Sequence, residues 1–281
     1  MIQFKFLSVT VLGVVAFGLS GCKLNVSGSS GAAVPVAVSD SSTPTPTPTA
    51  TPTPTPSATP AYNTDVVGLW RFEEDSGSVL NDSSGNGNYG TIYDMYGGLV
   101  YGATGIDGNA YTLDEFEQIY FNQSPIGNLS GTATESFSVQ LWFKTNNSGN
   151  AWVYVFGDGT PSMTQGTGLM LETYGTLSVN GNANNAGDFL ITSSAHVDDG
   201  AWHHSVVTYD AGTTTLSLYL DGALAGSVVQ EMHVVQDPGS PNSGIYANGT
   251  LDELAVWNKV LSSDDITSLY NGGVGVHIDP Q

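Results

Sequence analysis

The stretch GTLDELAVWNKVLSSDDITSLYNGG, Gly249 to Gly273, sets a strand directly against a helix. Its first part, TLDELAVWN, is a short run of apolar and β-branched residues with no helical periodicity, and it reads as a strand. In its second part, SSDDITSLYNGG, Ser262 and Asp265 have the spacing of a capping box, and Asn271-Gly272 supplies the C-terminal stop, so this part reads as a helix.

Outward from this stretch, the chain from Asp65 onward consists of short apolar or alternating runs separated by Gly, Asn and Asp clusters. VVGLWRF, QIYFN, FSVQLWFKT, WVYVFG, GLMLETYGTLSVN, DFLITS, WHHSVVTYD, TLSLYLDG and ALAGSVVQ all read as strands. About ten strands without intervening helices predict an all-β sandwich or jelly roll carrying one short C-terminal helix. Leu220-Asp221-Gly222-Ala223 is the clearest hairpin, because Asp-Gly accepts the positive φ angles of a type I′ turn. Residues 65–281 form one domain on this reading, with no internal repeat.

Five Lys and Arg against 26 Asp and Glu give a formal charge of -21. Such a field repels phosphate backbones and excludes nucleic acid as a partner. Excess carboxylate suits divalent cations, and it equally suits an acidic surface that keeps an exported protein soluble. The single cysteine rules out an internal disulfide.

The chain begins MIQFKFLSVTVLGVVAFGLSGC: basic Lys5, an apolar run from Phe6 to Leu19, then small residues. That is the layout of an export signal, too short for a typical membrane span. Leu19-Ser20-Gly21-Cys22 resembles a bacterial lipobox, in which the Cys22 thiol takes an acyl chain such as palmitate and becomes the new N-terminus. Residues 1–22 are therefore expected to be a lipoprotein signal, with stable anchoring by two or more chains. Residues 23–64 lack core-forming residues and include the Thr-Pro repeat TPTPTPTATPTPTPSATP. They are expected to be a disordered linker, the repeat forming a polyproline-II spacer that reaches about 55 Å at about 3.1 Å per residue. The expected location is the cell envelope, lipid-anchored at the outer membrane or cell surface.

DSSGNGNYG, Asp82 to Gly90, places Asp82, Ser84, Asn86 and Gly87 as in a calcium loop. An EF-hand also needs a closing Glu and flanking helices; Tyr93 stands at the Glu position and strand-like sequence flanks the loop. It is not an EF-hand.

LWRFEEDSGSVLNDSSGNGNYGTI, GIDGNAYTLDEFEQIYF, FSVQLWFKT, WHHSVVTYD, LSLYLDGALAG and GTLDELAVWNKVLSSDDITSLYNGG, in this order and spacing, resemble the laminin-G-like, concanavalin A-like jelly-roll domains. The resemblance covers nearly all of residues 65–281. It implies two packed antiparallel sheets, with VVGLWRF and TLDELAVWN as neighbours and the domain ends brought together. It also implies that the Asp82 turn lies near Asp252 and Glu253, at a rim where many relatives hold calcium. Asp82, Asn86 and Asp252 are thus candidate ligands of a structural Ca²⁺. The other reading is a turn, since Asx side chains bond their own backbone and Gly accepts positive φ.

His203 and His204 are adjacent on a strand, so they face opposite ways and do not chelate one ion together. Glucanase relatives carry closely spaced carboxylates in a pattern like Glu-x-Asp-x-x-Glu, and retaining hydrolysis sets its two carboxyls about 5–5.5 Å apart. Glu73-Glu74-Asp75, Asp114-Glu115-Phe116-Glu117 and Asp252-Glu253 do not reproduce that pattern, and no Gly-x-Ser-x-Gly elbow occurs. No catalytic residue is assigned. Tyr89, Tyr93, Tyr96 and Tyr101 cluster in one glycine-rich stretch, and Trp152 and Tyr154 precede the loop GDGTPSMTQGTG. Aromatic faces with a polar handle suit sugar rings and protein surfaces, which makes Tyr93, Tyr96, Trp152 and Tyr154 candidate ligand-binding residues. Loop packing is the alternative for the tyrosines. The sequence reads as a lipoprotein presenting a non-catalytic domain that binds a glycan or a surface protein. A purely protein-contacting envelope protein, or a glycan hydrolase with carboxylates from separate strands, are the alternatives.

Overall fold

Continuous burial, not alternation, marks the centre of the main sheet. Phe137–Lys144, Trp202–Asp210 and Gly249–Trp257 are buried along almost their whole length, whereas Thr215–Leu220 alternates residue by residue. Central strands lose the period-two pattern when both faces of the sheet are covered. The computed structural model describes residues 59–114, 116–121, 131–132, 134–147, 151–156, 169–173, 175–183, 187–234 and 244–281.

The main sheet runs, strand beside strand, Ala223–Val229, Thr215–Leu220, Trp202–Asp210, Phe137–Lys144, Gly249–Trp257, Asn109–Leu113 and Val100–Thr104, with Val66–Trp70 also paired to Gly249–Trp257. All these pairings are antiparallel. A four-stranded sheet orders Gly187–His196, Thr176–Ala183, Leu169–Thr173 and Ala151–Phe156, and another orders Gly244–Tyr246, Gln118–Phe121, Gly90–Tyr93 and Val79–Leu80. Their edge strands Ala151–Phe156 and Gly244–Tyr246 run side by side, so the two sheets form one second layer. A short ribbon pairs Gly131–Thr132 with His233–Val234. The architecture is a two-layer antiparallel β-sandwich of the jelly-roll type, as the sequence predicts.

One apolar cluster lies between the layers, including Trp70, Leu113, Ile119, Phe121, Phe137, Val207, Tyr209 and Ile245. Burying side chains of this size contributes about 1.5–3 kcal/mol each. The second cluster, Val66, Leu69, Val206, Ala255, Trp257, Leu261, Ile266, Leu269 and Ile278, seats the helix Ser263–Tyr270 on the other face of the main sheet. The capping box forms as the sequence predicts: Ser262 Oγ accepts from Asp265 N, and Asp265 Oδ2 accepts from Ser262 N. Asn271 closes the helix in the left-handed conformation. At the Leu220–Ala223 hairpin, Asp221 and Gly222 take φ of 51° and 78°, as a type I′ turn requires.

Three readings change. GLMLETYGTLSVN is two strands, Leu169–Thr173 and Thr176–Ala183, because Gly175 at φ 76° turns the chain back on itself. The tyrosine-rich stretch contains Gly90–Tyr93 and Val100–Thr104, strands that glycines on either side obscure. Residues 61–64 belong to the folded unit, not to a linker. Trp257 Nε1 donates to Tyr62 O at 2.7 Å, and Asn63 is buried while accepting from Asp279 N at 3.1 Å and Gln281 N at 3.0 Å. These contacts need partners from the far end of the chain, which composition does not display. They do join the two ends of the domain. Cys22, the signal segment and the Thr-Pro repeat lie outside the described residues.

Candidate functional site

Val66–Trp70 is bonded to Gly249–Trp257 along one edge only, which leaves Val67 and Leu69 with backbone groups pointing away from the sheet. The stretch DSSGNGN covers that edge. Asp82 Oδ1 accepts from Leu69 N at 3.0 Å and Ser84 N at 2.9 Å, and its Oδ2 accepts from Asn88 N at 2.8 Å. Ser83 N donates to Leu69 O at 2.7 Å, while the amides of Asn86 and Asn88 donate to the carbonyls of Val66 and Val67. A loop thus completes a strand edge with side chains.

Asp252 lies elsewhere. It is fully buried at a bulge in Gly249–Trp257, where Oδ2 accepts from Ile106 N at 2.7 Å and Asp107 N at 3.2 Å, and Oδ1 from Glu253 N at 2.8 Å. The Asp82 turn and Asp252 belong to separate hydrogen-bond networks: the turn lines the edge of Val66–Trp70 that faces away from Gly249–Trp257. Asp82 and Asn86 both bond to Ser84, through its N–H and its Oγ, whereas Asp252 bonds to Ile106, Asp107 and Glu253; the groups bonded to both carboxylates are N–H donors, which take the place a cation would fill. Among the described residues, no group of three or more His, Cys, Asp or Glu is arranged to hold a metal ion.

Glu253, at φ 47° on the same bulge, meets the Arg71 guanidinium at 3.2 Å; Arg71 also donates to Ile278 O and lies 3.9 Å from Asp107. Burial pushes Asp252 up to about 7 and Glu253 up to about 8, with Arg71 opposing the shift of Glu253. Both are sealed from substrate, so this cluster is a brace for the bulge. His203 and His204 face opposite ways, as their spacing predicts. His203 lies between Asp221, at 2.9 Å, and Asp199, at 3.2 Å; His204 is buried, stacks on Trp142 and is bonded through Nε2 to Gln140 at 3.0 Å.

The tyrosines assemble a surface. Along Gly90–Tyr93 and Gln118–Phe121, Ile92, Ile119 and Phe121 point into the core, and alternation sends Tyr93, Gln118 and Tyr120 to the outer face. Tyr93 is 50% exposed and meets Tyr120 edge-on at 5.2 Å. Tyr120 in turn donates to Gln118 Oε1. Where Gly90–Tyr93 ends, residues 94–98 turn, and Tyr96, 74% exposed, meets Phe116 edge-on at 5.4 Å. Edge-on pairing fixes each ring while leaving a face to solvent.

Carboxylates hold this turn. Asp94 Oδ1 accepts from Gly97 N at 2.7 Å and Gly98 N at 3.1 Å. Glu117, fully buried, accepts from Gly98 N at 3.2 Å and Asp114 N at 2.9 Å, and Asp114 accepts from Phe116 N at 2.9 Å. Burial and the bond to Asp114 push Glu117 up, while the bond to Glu117 holds Asp114 down. A Cβ on Gly98 would stand 2.5 Å from Asp114 Oδ2 and 2.8 Å from Glu117 Oε1, so a larger residue there would displace the carboxylates that hold the turn.

Tyr93 and Tyr96 therefore fall on one surface, joined by Phe116, Gln118, Tyr120 and Asp94. The sequence reading did not name these four as ligand contacts, although the alternation of QIYF carries the signal for Gln118 and Tyr120. Trp152 and Tyr154 lie on Ala151–Phe156, opposite Glu172 and Met170, and their side chains are outside the described residues.

The family model described as concanavalin A-like lectin/glucanases superfamily, Laminin_G_3, matches residues 120–267. Among solved structures, the chain is similar to domain 4 of AbnA, an extracellular arabinanase from Geobacillus stearothermophilus, in complex with arabinotriose. The identity is 20%, the TM-score 0.53, and 72% of this chain and 97% of that one are covered. It is also similar to the receptor-binding domain of botulinum neurotoxin D, at 17% identity and TM-score 0.54, covering 75% of this chain and 54% of that one. A third match, at 15% identity and TM-score 0.51, is the botulinum neurotoxin serotype D ligand-binding domain in complex with N-acetylneuraminic acid, covering 74% of this chain and 51% of that one. The chain thus spans about half the length of the toxin domains it matches. Comparison with curated proteins returns no match.

Proposed function

The chain belongs to the concanavalin A-like lectin/glucanases superfamily, and from that premise we propose that it is a non-catalytic binding protein whose outer-face tyrosines engage a carbohydrate. The observation that carries this reading is the braced, solvent-facing pair Tyr93 and Tyr96. Rings held in place lose little entropy when a sugar stacks on them. The saccharides bound in the arabinanase and toxin structures support a glycan in preference to a protein ligand.

A glycan array probed with the full-length protein tests it. Binding that falls at least about tenfold, or about 1.4 kcal/mol, in Tyr93→Ala and Tyr96→Ala with Tm unchanged supports the reading. A blank array turns it toward adhesion through proteins, and reducing sugar released from a bound polysaccharide turns it toward hydrolysis.

The proposal places this domain at the cell surface, acylated at Cys22 and spaced from the membrane by the Thr-Pro repeat. Loss of membrane fractionation in Cys22→Ser checks the anchor. Calcium assistance is a separate proposal: carboxylates are in excess, and Asp82 and Asp252 would bind an ion through carboxylates that already accept three N–H bonds each. Calcium added to chelator-treated protein raises Tm if they do so, and an unchanged Tm removes calcium from the reading.

A further inference from the structure

We infer that the tyrosine platform accepts neutral glycans, whose polar groups are hydroxyls, and rejects sialylated, uronate-bearing or sulfated ones. This rests on the carbohydrate reading above. An acidic sugar is recognised by cations or by free N–H donors, and both can be counted here.

From residue 59 onward the chain has three basic side chains, Arg71, Lys144 and Lys259. Arg71 is tied to Glu253 at 3.2 Å and to Ile278 O, and Lys259 is tied to Asp65 at 3.3 Å and to Ala61 O. Lys144 is exposed, but it ends a central strand of the main sheet, whereas the platform is in the second layer. No Lys or Arg stands among the platform residues.

Among the described residues, the backbone N–H donors that hold the turn beside the platform are spent as well. Those of Gly97, Gly98, Asp114 and Phe116 all point to Asp94, Asp114 or Glu117. What is left to face a ligand is the carboxylate of Asp94, the hydroxyls of Tyr93 and Tyr96 and the amide of Gln118, groups that pair with sugar hydroxyls and carry no positive charge. Asp94 is exposed, and among the described residues its hydrogen bonds all fall on Oδ1, so Oδ2 keeps its capacity to accept from a ligand hydroxyl. A hydroxyl-bearing sugar supplies the matching O–H donors. A carboxylate or sulfate ester would instead face the carboxylate of Asp94 within a domain of strongly negative net charge.

Affinity electrophoresis of the full-length protein in about 0.15 M salt tests the inference, with arabinan, galactan and β-glucan as neutral probes and polygalacturonate, polysialic acid and heparin as acidic ones. Retardation by a neutral probe, at least about tenfold tighter than by any acidic probe, is expected. Asp94→Asn, which keeps an oxygen for Gly97 N and Gly98 N, should weaken the neutral interaction, and Met95→Lys, at a 64% exposed position of the same turn, should admit an acidic probe, each with unchanged Tm. Equal or tighter binding of an acidic probe by the unaltered protein overturns the inference and leaves the carbohydrate reading standing. Retardation by no probe overturns both.

Discussion

His203 and His204 differ by one position and by opposite titration. The carboxylates of Asp221 and Asp199 beside His203 raise it against the effect of burial, whereas burial holds His204 down at about 3. In the unfolded chain His204 returns to about 6.5. Below that value the unfolded state takes up a proton that the native state refuses, so stability from His204 is present above about pH 6.5 and is lost as pH falls toward 3. Urea unfolding between pH 6.5 and 4 should show His204→Phe with a flatter pH dependence than the unaltered chain. Equal slopes would remove His204 as the cause. Strand periodicity already told that these two side chains part. Which of them would be enclosed depended on Trp142 and Tyr270, whose rings stack about His204.

For elements, the informative case is the strand Val66–Trp70 and its cover. An edge strand with open backbone groups invites pairing with another chain. Here the cover is a glycine- and asparagine-rich loop, and Asp82 alone accepts three of its N–H bonds. Asp82→Ala should lower stability by about 1–3 kcal/mol, because Leu69, Ser84 and Asn88 lose their acceptor together. Chemical denaturation measures this, and hydrogen exchange at Leu69 should quicken in the same variant. The loop was legible in the sequence as an Asx-rich turn. Its docking on Val66–Trp70 was not, since the bonds are made to residues up to 21 positions away.

In the whole molecule, the ends of the domain close on each other through Asn63. Asn63→Ala removes the acceptor of Asp279 N and leaves a buried gap; a loss of about 1–3 kcal/mol is expected. Faster removal of Asp279, Pro280 and Gln281 by carboxypeptidase would locate that loss at the clasp, and unchanged trimming would place it elsewhere. What the sequence by itself determined is whatever local chemistry specifies: the β class from its short runs, the capped helix after Leu261, the Asp221-Gly222 turn, and the acidic charge that argues against anionic partners. Only the tertiary structure decided that Asp82 and Asp252 enter separate hydrogen-bond networks, that residues 61–64 are folded, and that Tyr93 is braced by Tyr120 and Tyr96 by Phe116. Those outcomes depend on contacts between distant segments. Residue order records the donors, acceptors and rings, but not which of them the fold brings within reach.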